Sequence, residues 1–136
     1  MPDYSQLIPA AMDARQQSIA PYSKFQVGAA LLTADGNIIG GANVESASYG
    51  LSCCAERVAL FKALTDRTKE HRNFTAIAIA SPGGAAPCGA CRQLLAEYAP
   101  EAGVILINSE SADTPETTTV SELLPNAFTG DDFPDA

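Results

Sequence analysis

Phe74-Thr-Ala-Ile-Ala-Ile-Ala80, the loop Ser81-Pro-Gly-Gly-Ala-Ala-Pro87, the segment Cys88–Tyr98 and the run Gly103-Val-Ile-Leu-Ile-Asn108 decide the architecture. The first apolar stretch suits a buried strand, and the continuous apolar run at 103–108 is the pattern of a strand covered on both faces. Between them Leu94 and Leu95 give the segment after Pro87 an inward face, which predicts a helix over Cys88–Tyr98. Working outward, Phe25–Thr33 and Ile38–Val44 flank the turn Ala34-Asp35-Gly36-Asn37 and read as a β-hairpin. Cys54–Thr65 carries Ala55, Val58, Ala59, Phe61 and Leu64 at helical spacing. A first amphipathic helix is predicted from about Ser5 to Ala20, through Leu7, Ile8, Ala11, Met12, Arg15 and Ile19, and Pro21 stops it. A short strand is expected at Thr117–Val120. Strands alternating with helices predict an α/β fold, a three-layer α/β/α sandwich around a mixed five-stranded sheet.

The 136 residues are expected to form a single domain, with about 129–136 a loose acidic tail. No apolar run approaches the roughly 18 residues of a membrane span, and the start Met1-Pro-Asp-Tyr-Ser-Gln lacks the features of a signal peptide. A cytoplasmic protein is the expectation. Sixteen acidic residues against eight basic ones leave a formal charge of −8. Phosphate neutralisation supplies much of the affinity for nucleic acid, so this charge disfavours a polynucleotide or anionic membrane as partner. A neutral small molecule fits it better.

Cys88 and Cys91, at i and i+3, project from one helix face and can share an ion. Cys54 opens the other helix, so two helix N-termini favour thiolate at one place, by roughly 0.3–1 kcal/mol per helix. Three protein ligands leave a fourth tetrahedral position for water, the arrangement of a catalytic zinc. Glu56, two residues after Cys54, points elsewhere than that cysteine and can lean over the open position as a proton carrier. Cys53, beside Cys54, diverges from it and reads as a packed thiol. Read alone, Asn43 and Glu45 are polar strand ends, Phe25 and Phe128 are packing residues, and Arg57 and Arg92 are solvated helix residues.

Cys54-Ala-Glu56-Arg57 followed by Pro87-Cys88-Gly-Ala-Cys91-Arg92-Gln93 resembles the signature of the cytidine deaminase superfamily. Pro21-Tyr-Ser-Lys-Phe-Gln-Val-Gly-Ala-Ala30, Asn43-Val-Glu45-Ser-Ala-Ser-Tyr49-Gly50 and Glu122-Leu-Leu-Pro-Asn-Ala-Phe128 are similar to further blocks of its small homotetrameric members. The resemblance implies hydrolytic deamination of cytidine and 2′-deoxycytidine in pyrimidine salvage, with one Zn²⁺ per chain. It implies Cys54, Cys88 and Cys91 as zinc ligands and Glu56 as the proton shuttle. It implies Phe25, Asn43 and Glu45 as nucleoside contacts, the last two at the ribose 3′-hydroxyl, with the Ala55 amide facing the base. Tyr49 and Phe128 match residues given across subunit boundaries of a homotetramer with shared active sites, and Arg57 and Arg92 match arginines that donate to metal-bound sulfurs.

One departure lies at Gly83-Gly-Ala-Ala86, where many relatives place a serine before the proline. The rivals are a deaminase of another small amine-bearing compound of the blasticidin S type, a polynucleotide-editing enzyme, and a non-enzymatic zinc-stapled module. The last needs a fourth protein ligand, for which Cys53 and His71 are the candidates.

Overall fold

The computed structural model describes residues 4–66, 68 and 73–134. Five strands, β1 (Gly28–Thr33), β2 (Ile38–Ala42), β3 (Phe74–Ser81), β4 (Gly103–Asn108) and β5 (Glu116–Thr119), form one sheet in the order β2-β1-β3-β4-β5. β3 and β4 run parallel, and every other neighbouring pair is antiparallel. The sheet is therefore mixed, as the sequence predicts.

Strand alternation divides the apolar side chains into two cores. Ala29, Leu31, Ile77, Ile79, Val104 and Leu106 pack beneath α2 (Ala55–Leu64) and α3 (Gly89–Tyr98). Ala30, Leu32, Ala78, Ile105 and Ile107 face Leu7 and Ala11 of α1 (Leu7–Arg15) on the opposite side. The result is the expected α/β/α layering. Among the described residues, no helix is long and apolar enough to cross a membrane.

Several boundaries differ from the periodicity reading. β2 stops at Ala42 instead of Val44, which makes isolated bridges to Ile19 and Cys53. Three others have a tertiary reason. α1 ends at Arg15, well before Pro21, because Ile19 pairs with Val44: its N–H donates to the Asn43 carbonyl at 2.9 Å and its carbonyl accepts from Glu45 N at 2.8 Å. Ile19 is correspondingly exposed instead of buried in a helical stripe. β1 begins at Gly28, since Val27 N–H is held by the Asn43 side chain at 3.0 Å. Val120 leaves β5 to open the short α4 (Val120–Leu123), with Thr119 Oγ1 accepting from Glu122 N at 3.1 Å. A single 3₁₀ turn at Gly130–Asp132 has a capping box on Thr129.

Gly41 sets the height of α2 over the sheet. A Cβ there would sit 2.5 Å from Ala59 N and 2.7 Å from the Ala55 carbonyl oxygen, both backbone atoms that cannot turn aside. Gly41→Ala is therefore expected to destabilise by about 1–3 kcal/mol and to loosen the α2 N-terminus. Gly50→Ala, where a Cβ meets nothing within 4 Å, is expected to leave the melting temperature unchanged. Thermal denaturation of the two variants checks this.

Candidate active site

Cys54 and Cys88 occupy the N-cap positions of α2 and α3, both with extended backbone and neither side chain capping its own helix. Freed from capping, the two thiols turn toward each other. Their sulfurs lie 3.8 Å apart, and Cys88 and Cys91 Sγ lie 3.5 Å apart, with all three within 4.8 Å. A tetrahedral zinc with sulfur at about 2.3 Å places its ligands about 3.8 Å from one another. The cysteine trio fits that ion in spacing and in chemistry. Cys91 is buried and Cys88 exposed, so the cluster sits at the surface end of the core.

Electrostatics favour a thiolate here. Cys54 is pushed down to about 5 by the Cys91 thiol hydrogen-bonded to it, helped by Arg57, whose Nη2 donates to Cys54 Sγ at 3.4 Å. Cys91 moves upward as the partner that keeps its hydrogen against Cys54, and burial adds to the rise. Cys53 is not in the cluster: its backbone pairs with Val44 through bonds of 2.9 and 3.0 Å, and burial raises its thiol. His71, the other candidate fourth ligand, lies outside the described residues.

Glu56 is 5% exposed, in the first turn of α2, and lines the same cleft as Cys54 and Cys88. Burial raises its carboxyl above the usual carboxylate range, and the Cys54 thiolate adds to the rise. The cleft has a volume of about 200 Å³. Phe25, Asn43 and Ala55 also line it, and so do Ser81, Ala85 and Ala86, which the sequence reading did not single out.

Asn43 and Glu45 are already engaged within the chain. Asn43 Oδ1 accepts from Val27 N at 3.0 Å and from Ser18 Oγ, while Nδ2 donates to the Phe25 carbonyl at 2.8 Å. Both lone pairs of that oxygen are used, and one N–H remains. Glu45 Oε1 accepts from Tyr22 N at 3.1 Å and Ser23 N at 3.0 Å, and Oε2 accepts from Ser23 Oγ. These bonds hold its carboxyl below the usual range, with the Ser23 hydroxyl the largest cause. Together the two residues shape the segment that presents Phe25, which passes through left-handed Lys24 at φ 62°.

The remaining expected residues fall elsewhere. Arg92 directs Nε to the Pro87 carbonyl at 2.7 Å and Nη1 to the Leu123 carbonyl at 3.0 Å, so its hydrogen bonds go to backbone and Arg57 is the arginine at a sulfur. Tyr49 and Phe128 do not line the cleft. Tyr49 packs edge-on against Tyr22, and Phe128 against Phe133 at 5.4 Å between ring centroids. Both are exposed.

An α/β/α sandwich whose helix starts gather three cysteines, two of them lining one cleft with a buried carboxyl group, defines a metal-dependent hydrolase of the zinc-deaminase class. Comparison with known proteins places it further. Residues 1–107 match the model of the cytidine and deoxycytidylate deaminase zinc-binding region. A cytidine deaminase of Halalkalibacterium halodurans is 49% identical over 98% of this chain and 99% of its own. One from Sporosarcina psychrophila is 44% identical over 96% of this chain and 95% of its own. A solved cytidine deaminase from Burkholderia pseudomallei matches with a TM-score of 0.83 at 46% identity, covering 93% of this chain and 100% of that one. The chain belongs to the zinc-dependent cytidine and deoxycytidylate deaminase family.

Proposed function

We propose that the chain, as a single domain, hydrolyses cytidine and 2′-deoxycytidine to uridine and 2′-deoxyuridine with release of ammonia, in pyrimidine salvage. The observation that carries the reading is Glu56, a buried carboxyl with raised proton affinity in one cleft with Cys54 and Cys88 of the cysteine trio. Cys54, Cys88 and Cys91 would hold zinc, which when bound supplies the Lewis acidity that makes water nucleophilic near neutral pH.

The chain's own groups do the rest. Glu56 takes a proton from the attacking water and gives it to N3 of the pyrimidine. It then takes the remaining proton from the new 4-hydroxyl and passes it to the 4-amino group, so that the C4–N bond breaks, the C4 carbonyl forms and ammonia leaves. Its raised affinity for the proton suits it to both halves of that transfer. The remaining N–H of Asn43 and the unused lone pair of Glu45 are the groups available to the ribose 3′-hydroxyl, with Phe25 beside the ring. The Ala55 amide, at the positive end of α2, faces the base.

Arg57 draws charge from Cys54, so a site holding three thiolates ionises water more readily. Arg57→Ala is expected to weaken zinc retention about 10–100-fold while the fold stays intact, as measured by competition with a chelator. Arg92 supports the same cluster by fixing Pro87 and the start of α3.

Exposure of Tyr49 and Phe128 away from their own cleft supports a homotetramer in which each completes a neighbour's site, Phe128 by stacking on the pyrimidine. A formal charge of −8 supports a neutral nucleoside over a polynucleotide, and the cytoplasm is the location proposed. The test is ultraviolet absorbance on a panel of cytidine, 2′-deoxycytidine, adenosine, guanine and blasticidin S, with zinc quantified in the same sample. Turnover of the first two alone supports the proposal; turnover of blasticidin S alone, or of none, overturns it.

A further inference from the structure

The cleft that holds Glu56 is also lined by Ala85 and Ala86, part of a loop, Gly83-Gly-Ala-Ala86, that has no polar side chain of its own. Gly83 and Gly84 are both left-handed, at φ 81° and 70°, a conformation that imposes no shape without bonds to hold it. Those bonds come from two residues paired in register at the C-terminal ends of the parallel strands, Ser81 of β3 and Asn108 of β4. Gly83 N–H donates to Asn108 Oδ1 at 3.0 Å, Gly84 N–H to the Ser81 carbonyl at 3.0 Å, and Ala85 N–H to Ser81 Oγ at 2.9 Å. Three consecutive amides are thus captured. The anchors are themselves fixed: Ser81 is 1% exposed, its carbonyl also accepts from Ser109 N at 2.9 Å, and Asn108 Oδ1 also accepts from Glu110 N at 3.0 Å.

We propose that Ser81 and Asn108 are positioning residues that hold the Gly83–Ala86 wall at the distance from Glu56 at which the pyrimidine ring fits. This deepens, and rests on, the deaminase reading. The wall is held separately from the metal ligand that follows it. Pro87 and Cys88 are tied to Arg92, through its Nε to the Pro87 carbonyl and its N–H to the Cys88 carbonyl at 2.9 Å. Loss of the anchors should therefore loosen ring binding and leave the zinc and the proton carrier in place.

The experiment compares Ser81→Ala, Asn108→Ala and Asn108→Asp in the zinc-loaded protein. Its readouts are KM and kcat for cytidine, zinc content, and hydrogen exchange at the amides of residues 83–85. Both alanine variants are expected to raise KM about tenfold and speed exchange at those amides by a similar factor. kcat should stay within about twofold and zinc at one ion per chain. Asn108→Asp, which keeps the accepting oxygen, is expected to restore KM and protection to near wild type. An unchanged KM in the alanine variants, loss of zinc from them, or an aspartate variant as impaired as the alanine one would overturn the proposal. Should Ser81→Ala fail to fold, the two Asn108 variants decide alone. A wild-type protein that does not turn over cytidine sinks the deaminase reading, and the exchange data still report on the anchors.

Discussion

Replacing Glu56 with Gln is expected to lower kcat for cytidine by about 10²–10⁴-fold while one zinc ion per chain remains bound. The substitution preserves size and a hydrogen-bonding head, so the packing of a side chain only 5% exposed should survive it. What disappears is the capacity to carry a proton. Every proton movement in the proposed reaction passes through this carboxyl, so the loss falls on kcat and kcat/KM alike. Among the described residues, Glu56 is the titratable group lining the cleft outside the sulfur cluster. Retained activity in a fully metallated Glu56→Gln protein would mean that the proton travels another way. Loss of zinc in that variant would instead make Glu56 a ligand.

Cys91→Ala is expected to empty the metal site and abolish turnover, with the larger effect on stability of any single cysteine change. Cys91 is 0% exposed and supplies the hydrogen that lowers Cys54. Its removal takes away one donor, the reason the second is a thiolate, and a filled volume in the core. Cys88→Ala removes a donor too, but from an exposed position. Its melting temperature without metal should therefore match that of the unmodified chain stripped of zinc. Both affinities should fall by more than the about 10–100-fold that follows loss of an outer partner such as Arg57. Atomic absorption after dialysis, paired with thermal denaturation, separates the two variants. Full zinc occupancy in either would contradict a three-sulfur site.

Much of this site is legible along the chain because the chemistry is local. Cys88 and Cys91 share a helix face by spacing alone, and Cys54 and Glu56 differ in direction by their places in one turn. The elements themselves follow from periodicity, which reports which face of a segment is apolar. It does not report where a chain leaves a helix to pair elsewhere, as Ile19 does with Val44. Nor does it show how a polar side chain divides its bonds. Asn43 and Glu45 read alone as polar strand ends, and nothing in that reading shows the three bonds apiece that bind them to the segment before β1. Ser81 and Asn108 carry no signal of their own, because one reads as the start of a loop and the other as the last residue of an apolar strand. The missing serine before Pro87 was the available signal, since a loop without its own polar groups must borrow them.

The donors of the cluster come from stretches far apart, with Cys54 and Cys88 separated by 34 positions. An ion gripped there stitches the first turns of two helices and closes the intervening β3 segment into a ring. The stitch exists only in the folded chain, so free metal at about a thousand times its dissociation constant would add about 4 kcal/mol to the unfolding free energy. Heat resistance thereby becomes a gauge of metal supply. Molecules made during scarcity would be shorter-lived as well as idle, and a single melting curve could report both.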